Sequence, residues 1–63
     1  MWIKIIDDSF LNTDHVVNIK YDEDSDTTDF TLDSGGIYEV CEGDRTQEII
    51  QKIISGEKYM EVL

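Results

Sequence analysis

Between Lys20 and Arg45 the chain has no lysine, arginine or histidine, and over its whole length it has no proline and a single cysteine. The missing cations exclude the most. The same stretch holds Asp22, Glu23, Asp24, Asp26, Asp29, Asp33, Glu39, Glu42 and Asp44, and the 63 residues carry a net charge of −10 at pH 7. Such a surface repels phosphate backbones and anionic lipids, which disfavours direct nucleic-acid or membrane-surface binding and favours basic protein partners. Cys41 has no second cysteine with which to form an internal disulfide, so a reducing cytoplasm is the expected compartment. It reads as a small side chain near a strand end, with no neighbouring cation in sequence to stabilise a thiolate. No run approaches the ~18 apolar residues of a membrane span, and Met1-Trp2-Ile3-Lys4 lacks the basic segment and long apolar run of an export signal. Without proline, repeats or a linker, residues 1–63 form one small domain, expected to bury only about 60% of its unfolded surface.

What is present is enough for a compact core: 40% of the residues are hydrophobic and 10% aromatic, against 32% charged. Trp2 to Ile6 reads as a first strand, Val16 to Tyr21 as a second and Thr28 to Asp33 as a third. Phe10-Leu11 leads into Asn12-Thr13-Asp14, whose side chains favour a turn. Pairing Tyr21 with Thr28 sets Ile19 against Phe30 and Val17 against Leu32 on one side, and Lys20 against Asp29 and Asn18 against Thr31 on the other. A three-residue loop Ser34-Gly35-Gly36 then joins strand three to Ile37–Cys41, placing Leu32 beside Tyr38, Phe30 beside Val40 and Thr31 beside Glu39. A two-residue Gly-Gly loop would put Leu32 opposite Glu39 and is rejected. Asp44 is the expected N-cap of a helix, with Gln47 at capping-box spacing. Ile49, Ile50, Ile53 and Ile54 form its apolar stripe, and Gly56 supplies a left-handed end. The alternation of Tyr59, Glu61 and Leu63 with Met60 and Val62 favours a last short edge strand over a frayed extension.

The expected fold is α+β: an antiparallel β-meander of about four strands, with a possible fifth from the C-terminal tail, and one C-terminal helix packed on one face. Ile3, Ile5, Val17, Ile19, Phe30, Leu32, Tyr38, Val40 and the isoleucine stripe face inward. The opposite side gathers Asp29, Asp33 and Glu39, with the loop Asp22, Glu23, Asp24 and Asp26 beyond them. Trp2, Ile6, Val16 and Ile37 are left on the open face, either as a self-association patch or covered by the tail or by Phe10-Leu11.

Several chemical motifs are present only in part. Asp22-x-Asp24-x-Asp26 spaces oxygens like the start of a calcium loop, but Thr27 stands where glycine is needed and Asp33 where a bidentate Glu belongs. His15 beside Asp14, with Cys41 as a nucleophile, lacks a third member and a strained glycine-rich turn. Gly35-Gly36 and Gly43 match no phosphate-binding loop. Trp2 and Tyr59 have no cation interleaved in sequence, as stacking on single strands requires. The expectation is no catalytic residue, no cofactor and no metal.

The segments Phe10-Leu11-Asn12-Thr13-Asp14-His15-Val16-Val17-Asn18-Ile19, Thr28-Asp29-Phe30-Thr31-Leu32-Asp33-Ser34-Gly35 and Glu48-Ile49-Ile50-Gln51-Lys52-Ile53-Ile54 follow one another in a layout that resembles the FlbD/SwrD-type small proteins of bacterial flagellar operons. The resemblance spans most of the chain and implies the same strand, turn and helix order with a non-catalytic accessory role. The family's "T-P-D-T" segment has a proline that this chain lacks. From the charge comes the functional expectation: a non-enzymatic interaction module, expected as a homodimer, whose Asp22, Glu23, Asp24, Asp26, Asp29, Asp33 and Glu39 engage a basic protein surface. The alternative is a nucleic-acid mimic of phage or mobile-element type that occupies the groove of a nucleic-acid-binding enzyme.

Overall fold

A computed structural model describes residues 1–6 and 9–62, apart from the side chain of Ile6. The α+β architecture is present. Strands β3 (Val16–Asp22), β4 (Thr27–Leu32) and β5 (Ile37–Val40) form an antiparallel meander, and helix α1 (Thr46–Ile54) packs on its inner face. The tail is a strand too: β6 (Tyr59–Glu61) runs parallel to β1 (Trp2–Ile6). Ser9–Asn12 adds a strand, β2, where the sequence predicts only a lead into the turn. It pairs antiparallel with β1, so a second three-stranded sheet forms with the order β2–β1–β6. The inward side chains of both sheets meet α1 in one core of Ile3, Ile5, Leu11, Phe30, Val40, Ile49, Met60 and Val62.

The β3–β4 register is the expected one from Asn18↔Thr31 to Tyr21↔Thr28. A bulge between Val16 and Asn18 then breaks it, and Val16 rather than Val17 faces Leu32. An extra residue in one strand flips the side chains beyond it to the other face. Val16 therefore packs against the core, and Val17, expected inside, is 67% exposed. Along β4–β5 the register differs from the expected one by two residues, with Phe30↔Tyr38, Asp29↔Glu39 and Thr31↔Ile37. The hairpin loop is Asp33-Ser34-Gly35. Gly35 N–H donates to Leu32 O at 2.9 Å, Leu32 N–H donates to Gly36 O at 2.8 Å, and Gly35 takes φ +91°. A left-handed residue is needed at the third loop position, and glycine there fixes the register. Because the slide is by two, every side chain keeps its face.

Asp44 does not cap α1. It lies in a 3-10 turn, Gly43–Arg45, and the buried Thr46 begins the helix, its hydroxyl donating to Gly43 O at 2.7 Å. Thr46 also lies 2.6 Å from the hydroxyl of the fully buried Thr28, which donates to Glu42 O at 3.0 Å. Two hydroxyl protons thus serve three contacts and join the central strand to the helix start. Gly56 ends the helix as expected, at φ +80°, with Gly56 N–H bonded to Ile53 O and Glu57 N–H to Lys52 O. These are the paired bonds of a Schellman motif. Arg45 secures the last strand: its Nη1 donates to the carbonyls of Glu61 at 2.9 Å and Val62 at 2.7 Å, and its Nε donates to Glu48 at 2.9 Å.

Candidate functional site

With Phe30 and Val40 turned toward α1, the intervening side chains of β3–β4–β5 form an open face. Lys20, Asp29 and Glu39 make its middle row, since Asp29 pairs with Lys20 on one side and with Glu39 on the other. Like charges directly opposite one another on a sheet destabilise it, and here only one lysine offsets two carboxylates. Asp29 is oriented by Thr27, whose buried hydroxyl donates to Asp29 Oδ1 at 2.7 Å.

The β3–β4 loop continues the negative charge at one end of this face. Asp22 and Thr27 close it, and Asp22 Oδ1 accepts the Asp24 N–H at 3.0 Å, a local turn that needs a short side chain with an acceptor oxygen. Asp26 holds φ +54°, a left-handed conformation that aspartate tolerates better than most residues. Its Oδ1 accepts the Tyr21 hydroxyl at 3.2 Å, and its carbonyl accepts Gly43 N–H at 3.0 Å. The bond to Asp26 is the main cause that pushes the Tyr21 phenol above its ordinary pKa, with burial and nearby carboxylates adding to it. The loop is thus held in place while Glu23, Asp24 and Asp26 stay exposed.

Asp33 is not part of this group. It opens the β4–β5 loop at the other end of the sheet, about 20 Å from the acidic loop along a six-residue strand at ~3.3 Å per residue. There Asp33 Oδ2 lies 3.0 Å from His15 Nδ1, and Asp33 N–H donates to His15 O at 2.8 Å. The structure therefore gathers Asp22, Glu23, Asp24, Asp26, Asp29 and Glu39 and separates Asp33 from them. Glu42 and Asp44 lie beyond β5, outside the face.

The hydrogen bond to Asp33, and then its charge, raise the His15 pKa above the ordinary value of 6.5; a slight desolvation opposes them and Asp14 adds to them. A raised folded-state value stabilises the fold fully below pH 6.5, and that contribution is lost as pH rises through the folded value. Asp33→Asn should lower the His15 titration, followed by NMR, toward its ordinary position. The stability difference between wild type and this variant should shrink as pH rises from 6.5 through the raised folded-state value. A His15 pKa unmoved by the substitution would contradict the pairing.

The self-association residues are not brought together as one patch. Trp2 and Ile37 are both exposed but belong to different sheets, Val16 is drawn to the core by the bulge, and the side chain of Ile6 lies outside the described residues. His15 and Cys41 sit at opposite ends of β3–β4–β5, and no group of three potential metal-ligating side chains occurs among the described residues. No helix among them is long and apolar enough to cross a membrane. The chain matches no known family model, no curated protein and no solved structure.

Proposed function

We propose that the protein is a non-enzymatic interaction module that docks a basic protein surface on the open face of β3–β4–β5 and its acidic loop. The observation that supports this reading is the Asp29–Glu39 cross-strand pair beside Lys20, continued by the anchored loop Asp22 to Asp26. A lysine or arginine placed between Asp29 and Glu39 relieves their repulsion, so the cation gains an ion pair and the sheet loses a destabilising contact. Complementarity of this kind speeds encounter and selects partners. Mimicry of nucleic acid demands carboxylates in ordered rows, and Thr31 and Ile37 interrupt the row between the Asp29–Glu39 pair and Asp33. The basic-surface reading is therefore preferred. Self-association belongs to the same reading, because a domain of this size gains stability from a second copy.

Binding of a lysine-rich peptide, measured by calorimetry at several salt concentrations, tests the docking face. Wild-type affinity should fall steeply with salt, and a variant carrying Asp24→Lys, Asp26→Lys and Asp29→Lys should bind at least about tenfold more weakly and with a flatter salt dependence. Equal affinity for wild type and variant would end the proposal. Adding duplex DNA to a natural basic partner separates the two readings, since competition at that partner's nucleic-acid groove is the signature of mimicry.

A further inference from the structure

The β2–β1–β6 sheet has an open face of a different character. Register sets Asn12, Trp2 and Tyr59 in one row and Phe10, Lys4 and Glu61 in the next. Trp2, Phe10 and Tyr59 each remain about half exposed, so three of the six aromatic residues lie on this one surface. Its charge is balanced. Lys4 and Glu61 are cross-strand neighbours yet form no ion pair with each other among the described residues, and Tyr59 donates its hydroxyl to Glu61 Oε1 at 3.0 Å.

We infer that this face binds a second copy of the chain, sheet against sheet, about a two-fold axis that runs parallel to β1 and β6 and midway between them. Such a rotation carries each row onto itself and lays β1 over β6 of the partner subunit. Trp2 then meets Tyr59 of the partner subunit, and Lys4 meets Glu61 of the partner subunit, with both contacts repeated by symmetry. The match depends on where the axis lies. An axis between β1 and β2 would set Lys4 over Phe10 of the partner subunit, and an axis on β1 would set it over Lys4 of the partner subunit. Only the β1–β6 axis joins opposite charges and pairs aromatic with aromatic. Packed sheets lie about 10 Å apart, within reach of these long side chains. The ~30° angle between such sheets moves groups one residue from the centre by only about 2 Å.

This inference rests on the self-association part of the proposed function and gives it a surface. Two features set the strength of the contact. Two overlapping strands, roughly 10 Å across, offer less than the ~800 Å² per partner of a standard interface, so a weak dimer is expected. Two chains of charge −10 repel one another at long range, and salt screens that repulsion, so dimerisation strengthens with salt while docking of a basic partner weakens.

Sedimentation velocity on Lys4→Glu and Glu61→Lys, each alone and as an equimolar mixture at about 10–500 µM, tests the geometry. Each variant alone places like charges across the axis and should weaken dimerisation at least about tenfold; the mixture restores both ion pairs in trans and should dimerise at least as well as wild type. Repair by mixing cannot arise inside one chain. Should either variant fail to fold, Tyr59→Ala carries the test, with an expected loss of at least about tenfold in dimer affinity and an unchanged circular dichroism spectrum. A wild-type chain that stays monomeric throughout overturns both the inference and the self-association reading. A dimer indifferent to these substitutions, with no preference for the mixture, overturns this face and leaves association through another surface.

Discussion

Phe30→Ala is expected to cost about 3–5 kcal/mol, enough to unfold much of the protein at 37 °C. Phe30 is 0% exposed at the centre of β4, the central strand of its sheet, with Ile19 and Tyr38 as cross-strand neighbours. It sits in the cluster where both sheets and α1 meet, so the cavity left by truncation borders every layer of the fold. A domain of this length has about 3–9 kcal/mol of stability to lose. At roughly 4–8 °C per kcal/mol, the melting temperature should fall by about 12–40 °C. Val17→Ala removes a β-branched residue from the neighbouring strand and should change stability by less than about 0.5 kcal/mol, because the bulge has turned Val17 to solvent. Urea denaturation of the two variants decides the matter. Similar losses would mean that the bulge and the face it assigns are wrong.

That contrast shows what side-chain alternation can and cannot reveal. Alternation assigns Phe30 and Val17 to the same side, and it is right about Phe30 because a two-residue slide of β4 against β5 preserves faces. It is wrong about Val17 because a bulge leaves no mark in a pattern of apolar and polar positions. The carboxylate face was legible for the same reason: Lys20, Asp29 and Glu39 keep the face opposite Ile19, Phe30 and Tyr38 whichever of the two registers holds. Asp33 also sits in that alternation, but it falls in the loop, and its partner His15 comes from a different turn of the chain.

The β2–β1–β6 sheet was much less legible. β2 has four residues and places only Leu11 in the core, too short a segment for a period to appear. β6 pairs with β1 from the far end of the chain, and a parallel partner separated by nearly the whole sequence leaves no local turn signal. The alternation of Met60 and Val62 with Tyr59 and Glu61 was visible and sorted those residues correctly. It was pairing alone that placed Trp2, Phe10 and Tyr59 on one surface with Lys4 between them. The Thr28–Thr46 contact was hidden in a similar way, since threonines at a strand and at a helix start read as surface residues until packing buries both.

The acidic loop owes its position to one glycine, and Gly43→Ala should therefore weaken partner binding without altering any charge. A Cβ on Gly43 would lie 2.5 Å from Tyr21 Cε1, 2.7 Å from the Asp26 carbonyl carbon and 2.7 Å from Asp26 Oδ1. The tyrosine ring can rotate aside only by giving up its bond to Asp26, and the Asp26 backbone is already in a left-handed conformation with its carbonyl bound to Gly43 N–H. Relief requires the loop to move as a unit away from the 3-10 turn, losing both bonds. Overpacking of this kind costs about 1–3 kcal/mol, and the broken Gly43–Asp26 bond adds about 1. In the folded variant, amide resonances of residues 22–27 should shift while those of the β1–β6 pair stay in place. Affinity for the lysine-rich peptide should fall severalfold, because Asp24 and Asp26 no longer hold a fixed position relative to Asp29 and must be ordered on binding. An alanine at 43 that leaves stability, loop resonances and peptide affinity all unchanged would mean that the loop is not preorganised, and that Asp29 and Glu39 alone define the docking face.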